Sequence, residues 1–159
     1  MDENGNNVTY LTKEGLKNLE QELDSLRTVR RAEVAERLHQ AMEDGELIDN
    51  AEYEAAKNEQ AFVEGRILTL ETMLSNAEII QENGSSDIVN LGSSVVVKEA
   101  ESLDSEKYLI VGAAEASPVE GRISNESPLG HALLGRRVGD EIKVIAPAGE
   151  LLFRVVEIG

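Results

Sequence analysis

Apolar residues in the first half of the chain recur in steps of three and four. Leu16, Leu19, Leu23 and Leu26 form one such series, and Val34, Leu38 and Ala41 resume it after a shift. No proline interrupts the stretch, so the spacing predicts one long helix over residues 12–42. Thr12 stands where an N-cap belongs, but Glu14 comes one place too early to complete a capping box. A second helical pattern covers residues 50–77, with Phe62, Val63, Ile67, Leu70, Leu74 and Ala77 on its apolar face. Gly65 inside it costs ~1 kcal/mol relative to alanine. Between the two lies a short break. Gly45 suits the left-handed residue that ends a helix, and Asp49 or Asn50 suits the cap that starts the next. A loop this short makes the helices antiparallel neighbours. Two arms of roughly 30 residues each reach ~45 Å at the α-helical rise. A hairpin that long and thin is a probe or a spacer, not a globular core.

Beyond Ile80 the period changes. Residues 81–87 are linker-like in composition. Short β-type runs follow at Val95-Val96-Val97, Tyr108-Leu109-Ile110-Val111, Ile142-Lys143-Val144-Ile145 and Leu152-Phe153-Arg154-Val155-Val156. Pro147-Ala148-Gly149-Glu150 reads as the hairpin turn between the last two. One short helix is expected from Pro128 to Leu134, closed by Gly135. The predicted class is α+β: a coiled-coil hairpin over 1–80 with its tip near 44–50, a linker over 81–87, and a compact antiparallel sheet domain with a small helix over 88–159.

Composition narrows the chemistry. Apolar residues make up 41% of the chain but aromatics only 3%, which suits helix packing and a small sheet better than an aromatic-lined pocket. The absence of cysteine excludes disulfides, thiolate metal sites and cysteine nucleophiles. The two histidines, His39 and His131, lack ligand-like spacing. No run approaches the ~18 consecutive apolar residues of a membrane span, and residues 1–7 are unlike a secretory leader. The expected location is therefore the cytoplasm. A net charge of −16 argues against wrapping bare nucleic acid and leaves a basic protein surface, or a site that holds cations, as the suitable partner.

The sharpest local feature is acidic. Glu43, Asp44, Glu46, Asp49, Glu52 and Glu54 cluster around the break, with no Lys or Arg among them. A solvated acidic loop is the plain alternative. Against it, Asp44 and Glu46 fall at the carboxyl end of the first helix, where the macrodipole disfavours negative charge by ~0.3–1 kcal/mol each. Leu47 and Ile48 also sit at the extremity of a hairpin, beyond any core of its own. Carboxylates and apolar groups at the end of a probe suggest a tip that docks, and hard oxygen ligands suit Mg²⁺.

The run Gly45-Glu46-Leu47-Ile48-Asp49-Asn50-Ala51-Glu52-Tyr53-Glu54-Ala55-Ala56-Lys57 resembles the tip signature of the bacterial Gre transcript-cleavage factors. Thr9-Tyr10-Leu11-Thr12 with Gly15 and Leu19, Val29-Arg30-Arg31, Glu64-Gly65-Arg66-Ile67 and Leu74-Ser75-Asn76-Ala77 are similar along both arms. Ser127-Pro128-Leu129-Gly130, Ala132-Leu133-Leu134-Gly135 and Val144-Ile145-Ala146-Pro147-Ala148-Gly149-Glu150 extend the likeness to the second half. The GreA branch is nearest in pattern.

That resemblance implies an FKBP-like C-terminal domain that grips the rim of the RNA polymerase secondary channel, through Ser127, Pro128 and Leu129. It implies a coiled coil that carries its tip to the polymerase active site, where the RNA 3′ end of a backtracked complex lies. Glu46 and Asp49 take the places of the acid pair that helps hold a second Mg²⁺, shared with the polymerase and absent from the isolated protein, and orients the attacking water. Leu47, Asn50 and Tyr53 are implied in tip docking and Lys57 in contact with RNA. The order of the acids is exchanged relative to the family's usual Asp then Glu, and Met42 replaces a basic residue on the first arm. The implied protein is a monomer and a cofactor of the polymerase's own cleavage, not a nuclease. DNA binding comes with the resemblance, although the net charge stands against it. A Gre homologue that blocks the same channel is the nearest competing reading. A prolyl isomerase, for which this half offers only Tyr108 and Phe153, and a coiled-coil scaffold are the others.

Overall fold

The computed structural model describes residues 7–44, 50–81 and 87–159. Their contacts divide the chain into a helical unit, 16–76, and a second unit in which 1–15 joins 77–159. The boundary thus falls inside the expected 1–80 segment. The physical reason is a parallel pair of three-residue strands, β1 (Thr9–Leu11) and β2 (Ala77–Ile79), which joins the two ends of the hairpin segment to each other, with Tyr10 packed closely against Gly112 of the second unit.

In the helical unit the first arm comprises α1 (Lys13–Ser25), a π-helical turn (Leu26–Arg30) and α2 (Arg31–Asp44); the second is α3 (Ala51–Ser75). Leu23, Val34, Val63, Ile67 and Leu70 form the buried seam, flanked by Leu19, Leu26, Met73 and Leu74. The π turn explains the shift in the apolar stripe. A seven-residue repeat from Leu19 and Leu26 points next to Glu33, yet the buried residue is Val34. Arg31 donates its N–H to the Leu26 carbonyl five residues back, which absorbs one extra residue and restores the phase. Ion pairs confirm the antiparallel order: Arg27 meets Glu71, Arg31 meets Glu64 and Arg37 meets Glu59. Most of these side chains are well exposed, and such pairs contribute only about 0–1 kcal/mol each. The apolar seam holds the arms together.

Two assignments for the second arm change. Phe62 is 71% exposed. The buried set Ala56, Val63, Ile67 and Leu70 defines a face from which its neighbour in sequence is turned by ~100°. Ala77 lies outside the helix, in β2.

In the second unit, β3 (Ser94–Glu99), β4 (Ser105–Val111), β5 (Arg122–Ser124), β6 (Glu141–Ala146) and β7 (Gly149–Ile158) form one sheet in the order β5-β4-β3-β7-β6. Alternation buries Val95 and Val97, Ile142 and Val144, and Phe153 and Val155 on one face. Val89, Ile110, Ile123 and Leu133 complete that core, with Leu133 supplied by α4 (Pro128–Leu133). The α+β class expected from the pattern is the one observed. The sheet is not wholly antiparallel, however: β5 pairs parallel to β4, because two 3₁₀ turns, Ala113–Glu115 and Pro118–Glu120, carry the chain back across instead of a hairpin. Gly135, expected to close α4, has φ of 80°, and Gly149 enters the β6–β7 pairing with φ of 129°, conformations that favour glycine.

Candidate functional site

The end of the hairpin is framed by α2 and α3. Glu46, Leu47 and Asp49 lie outside the described residues, as do Gly45 and Ile48. The cap of α3 is Asn50, not Asp49: its Oδ1 accepts the Tyr53 N–H at 3.1 Å. The Nδ2 of the same amide donates to the Ala41 carbonyl at 2.7 Å, near the end of α2 where helical carbonyls lack partners. An aspartate here accepts the first bond but has no proton for the second. Asn50 therefore closes the loop by pinning its two stems together. Ala41 and Ala56, both buried, let the arms approach on this side of the seam.

The flanking acids have local roles. Glu43 Oε1 lies 3.1 Å from His39 Nε2. Glu52 and Glu54 are exposed in the first turn of α3, where the helix dipole favours negative charge. Tyr53 is half-buried, and Lys57 places its ammonium 5.9 Å from the centre of that ring, within cation–π range. Lys57 is exposed and has no carboxylate partner among the described residues. The structure thus brings Asn50, Tyr53 and Lys57 together on the start of α3. Among the described residues no group of three or more His, Cys, Asp or Glu is placed to hold a metal. Two tip carboxylates amount to a partial set of hard ligands, of the kind Mg²⁺ accepts when other ligands are supplied elsewhere.

The second candidate region is Ser127-Pro128-Leu129. Ser127 caps α4, its Oγ accepting the Gly130 N–H at 3.1 Å and donating to the Ser124 carbonyl at 2.6 Å. Leu129 packs on the sheet core, and Pro128 is exposed at the first helical turn. Gly130 is buried, and a Cβ there collides with the Ser124 carbonyl oxygen. Gly130→Ala is therefore expected to cost about 3 kcal/mol, a fall in Tm of roughly 6–12 °C read by thermal unfolding. Gly65→Ala is the matched contrast. Nothing lies within 4 Å of its Cβ, so gaining helix propensity should raise stability by about 0.5–1 kcal/mol.

The aromatic candidates of the second half do not converge on a pocket. Burial, then a hydrogen bond to Glu106, pushes the Tyr108 phenol up to about 12, so it stays neutral at physiological pH. Phe153 lines an open groove of about 240 Å³ with Lys98, Glu99, Ala100, Glu141, Leu152 and Arg154, a rim dominated by charge.

Residues 9–79 match the family described as Transcription elongation factor, N-terminal, and residues 84–159 match Transcription elongation factor, GreA/GreB, C-term. The chain belongs to the GreA/GreB family of transcription elongation factors. It is 51% identical over 151 residues to the transcription elongation factor GreA of Bacillus subtilis, covering 95% of this chain and 96% of that one. It is 54% identical over 149 residues to GreA of Geobacillus kaustophilus, covering 93% and 94%. Among solved structures it resembles GreA factor homolog 1 (Gfh1) of Thermus thermophilus at 39% identity, covering 96% and 99% with a TM-score of 0.44. Within the GreA/GreB frame, sequence reasoning missed two contributors. One is the donor half of Asn50, visible in principle because only an amide both gives and accepts. The other is Glu115, which completes the cap of α1 from about a hundred residues away; its signal is Gly15, standing where a capping box has its carboxylate.

Proposed function

We propose that this protein binds the secondary channel of RNA polymerase in the cytoplasm and stimulates the polymerase's own cleavage of backtracked RNA, as a monomer. The reading is supported chiefly by one observation: the tip signature Gly45 to Tyr53 lies between the two arms of an extended hairpin in a chain that matches the GreA/GreB family over both its units. The sheet-bearing unit, with Pro128 exposed beside Ser127 and Leu129, supplies the grip on the channel rim. A thin hairpin offers too little area to anchor a complex alone.

Glu46 and Asp49 provide carboxylate ligands to an active centre whose remaining ligands belong to the polymerase. A Mg²⁺ shared between these carboxylates and the polymerase would supply charge stabilisation for phosphodiester hydrolysis. Asn50 keeps the two stems of the loop together so that both carboxylates stay at its end. Lys57, with no carboxylate partner among the described residues, faces phosphate, and Tyr53 lies within cation–π range of its ammonium. The protein itself performs no bond cleavage.

The test is direct. Added to a stalled, backtracked polymerase complex, the protein should shorten the RNA from its 3′ end and restore elongation. Intact RNA with slowed elongation would establish the channel-blocking alternative instead.

A further inference from the structure

The cap at the start of α1 is assembled from two distant parts of the chain. Thr12 Oγ1 accepts the Gly15 N–H at 3.0 Å, the usual N-cap bond. In a capping box the side chain three places later reaches back to the N-cap N–H. Here that place is Gly15, and Glu115 occupies the vacant seat. Its Oε2 accepts the Thr12 N–H at 2.7 Å, while its Oε1 accepts the Thr12 hydroxyl and an Arg122 N–H, both at 2.6 Å. The Glu115 side chain is only 6% exposed. A Cβ on Gly15 collides with the Glu115 carboxyl and meets nothing else first. Nearby, Gly112 passes so close to the Tyr10 carbonyl that no Cβ fits there either.

We propose that Glu115 is a positioning residue for stimulated cleavage. It fixes the root of the first arm on the unit that docks, so that docking determines where the tip carboxylates arrive. The inference rests on the elongation-factor reading above. Helix α1 starts within the sheet-bearing unit and runs on into the helical one, and beside Glu115 this root is held by the three-residue β1–β2 pair and by the close approach of Gly112 to Tyr10. Leverage makes the root matter. A tilt of about 5° moves the end of a ~45 Å arm by about 4 Å. A misplacement of only about 1 Å at reacting groups can cost roughly 100-fold in rate.

A capping role and a positioning role separate in one double variant. Gly15→Glu with Glu115→Ala moves the carboxylate onto the helix itself, restoring the cap without the bond across the chain. Glu115→Ala alone should lower Tm by several degrees and the maximal cleavage rate at least about tenfold, with the half-saturating concentration changed less than about twofold. The double variant should regain the part of the Tm lost with the cap, though not the part owed to the missing partner of Arg122, and keep the cleavage defect. Cleavage restored along with Tm, or undiminished in either variant, would overturn the proposal. A second readout is independent of cleavage. The chain has no cysteine, so Thr69→Cys and Leu103→Cys, both at exposed sites, accept spin labels cleanly. Their distance distribution should broaden at least about twofold in the double variant, and an unchanged width would also overturn the assignment. If the unaltered protein fails to stimulate cleavage, the functional reading falls on its own, and the label distances still decide the role of Glu115.

Discussion

Asp49→Asn and Glu46→Gln are each expected to lower stimulated cleavage by roughly 100-fold or more, while polymerase affinity stays within about twofold. The scale follows from the ligand role proposed for both. Altering groups that merely support a metal's ligands already costs roughly 10–100-fold, and an amide oxygen is a far poorer partner for Mg²⁺ than a carboxylate. Misfolding does not provide an escape for Asp49, because the cap of α3 is Asn50. Glu43→Gln and Glu54→Gln serve as controls within the same acidic stretch. Glu43 sits beside His39 and Glu54 lies in the first turn of α3, so both variants should cleave almost normally. Raising Mg²⁺ should recover part of the loss at the pair, since weakened ligation yields to mass action. Equal, modest losses at all four positions would show a diffuse electrostatic effect and sink the paired-ligand assignment.

Periodic features of this chain are legible without coordinates, and features made by single distant contacts are not. The helical arms and the four longer strands announce themselves because each repeats a spacing of 3.6 or 2 over many residues. The strands β1, β2 and β5 have three residues each, too short to express any period, and all three pair in parallel, β1 and β2 across most of the hairpin segment. Phe62 shows the converse error. It adjoins Val63 in sequence and shares its hydrophobicity, but one helical step carries it off the seam and into solvent. At the candidate site, the acids, Lys57 and the Ser-Pro-Leu-Gly run are readable as residue types. The double bonding of Asn50 and the reach of Glu115 depend on where the chain returns, which no local pattern encodes. A glycine in a capping position is the one local trace of the second.

Deleting a single residue should have opposite consequences in the two arms, although both deletions remove an exposed aliphatic side chain. Val29 is 53% exposed in the π turn, and Leu68 is 64% exposed in α3. Removing Val29 takes out the extra residue that the π turn accommodates. The Arg31-to-Leu26 bond can then revert to ordinary α-helical spacing, and Val34 falls into the place that the Leu19 and Leu26 repeat assigns. Stability should change by no more than about 1 kcal/mol, since π geometry confers no packing that the α-helix lacks. Removing Leu68 has no bulge to consume. It rotates one side of α3 against the other by ~100°, so Val63 and Ile67 can no longer share a face with Leu70 and Leu74. Withdrawing Leu70 alone from a core costs about 2–5 kcal/mol, and here at least one further seam residue goes with it. The Leu68 deletion should therefore lose more than about 4 kcal/mol and much of the far-ultraviolet helical signal, while the Val29 deletion keeps that signal. Urea unfolding of both proteins, followed by circular dichroism, measures the contrast. Equal damage from the two deletions would mean that the π geometry itself, beyond the Leu26 and Arg27 contacts that an α-helical turn can keep, contributes to stability and is not simply the seat of an inserted residue.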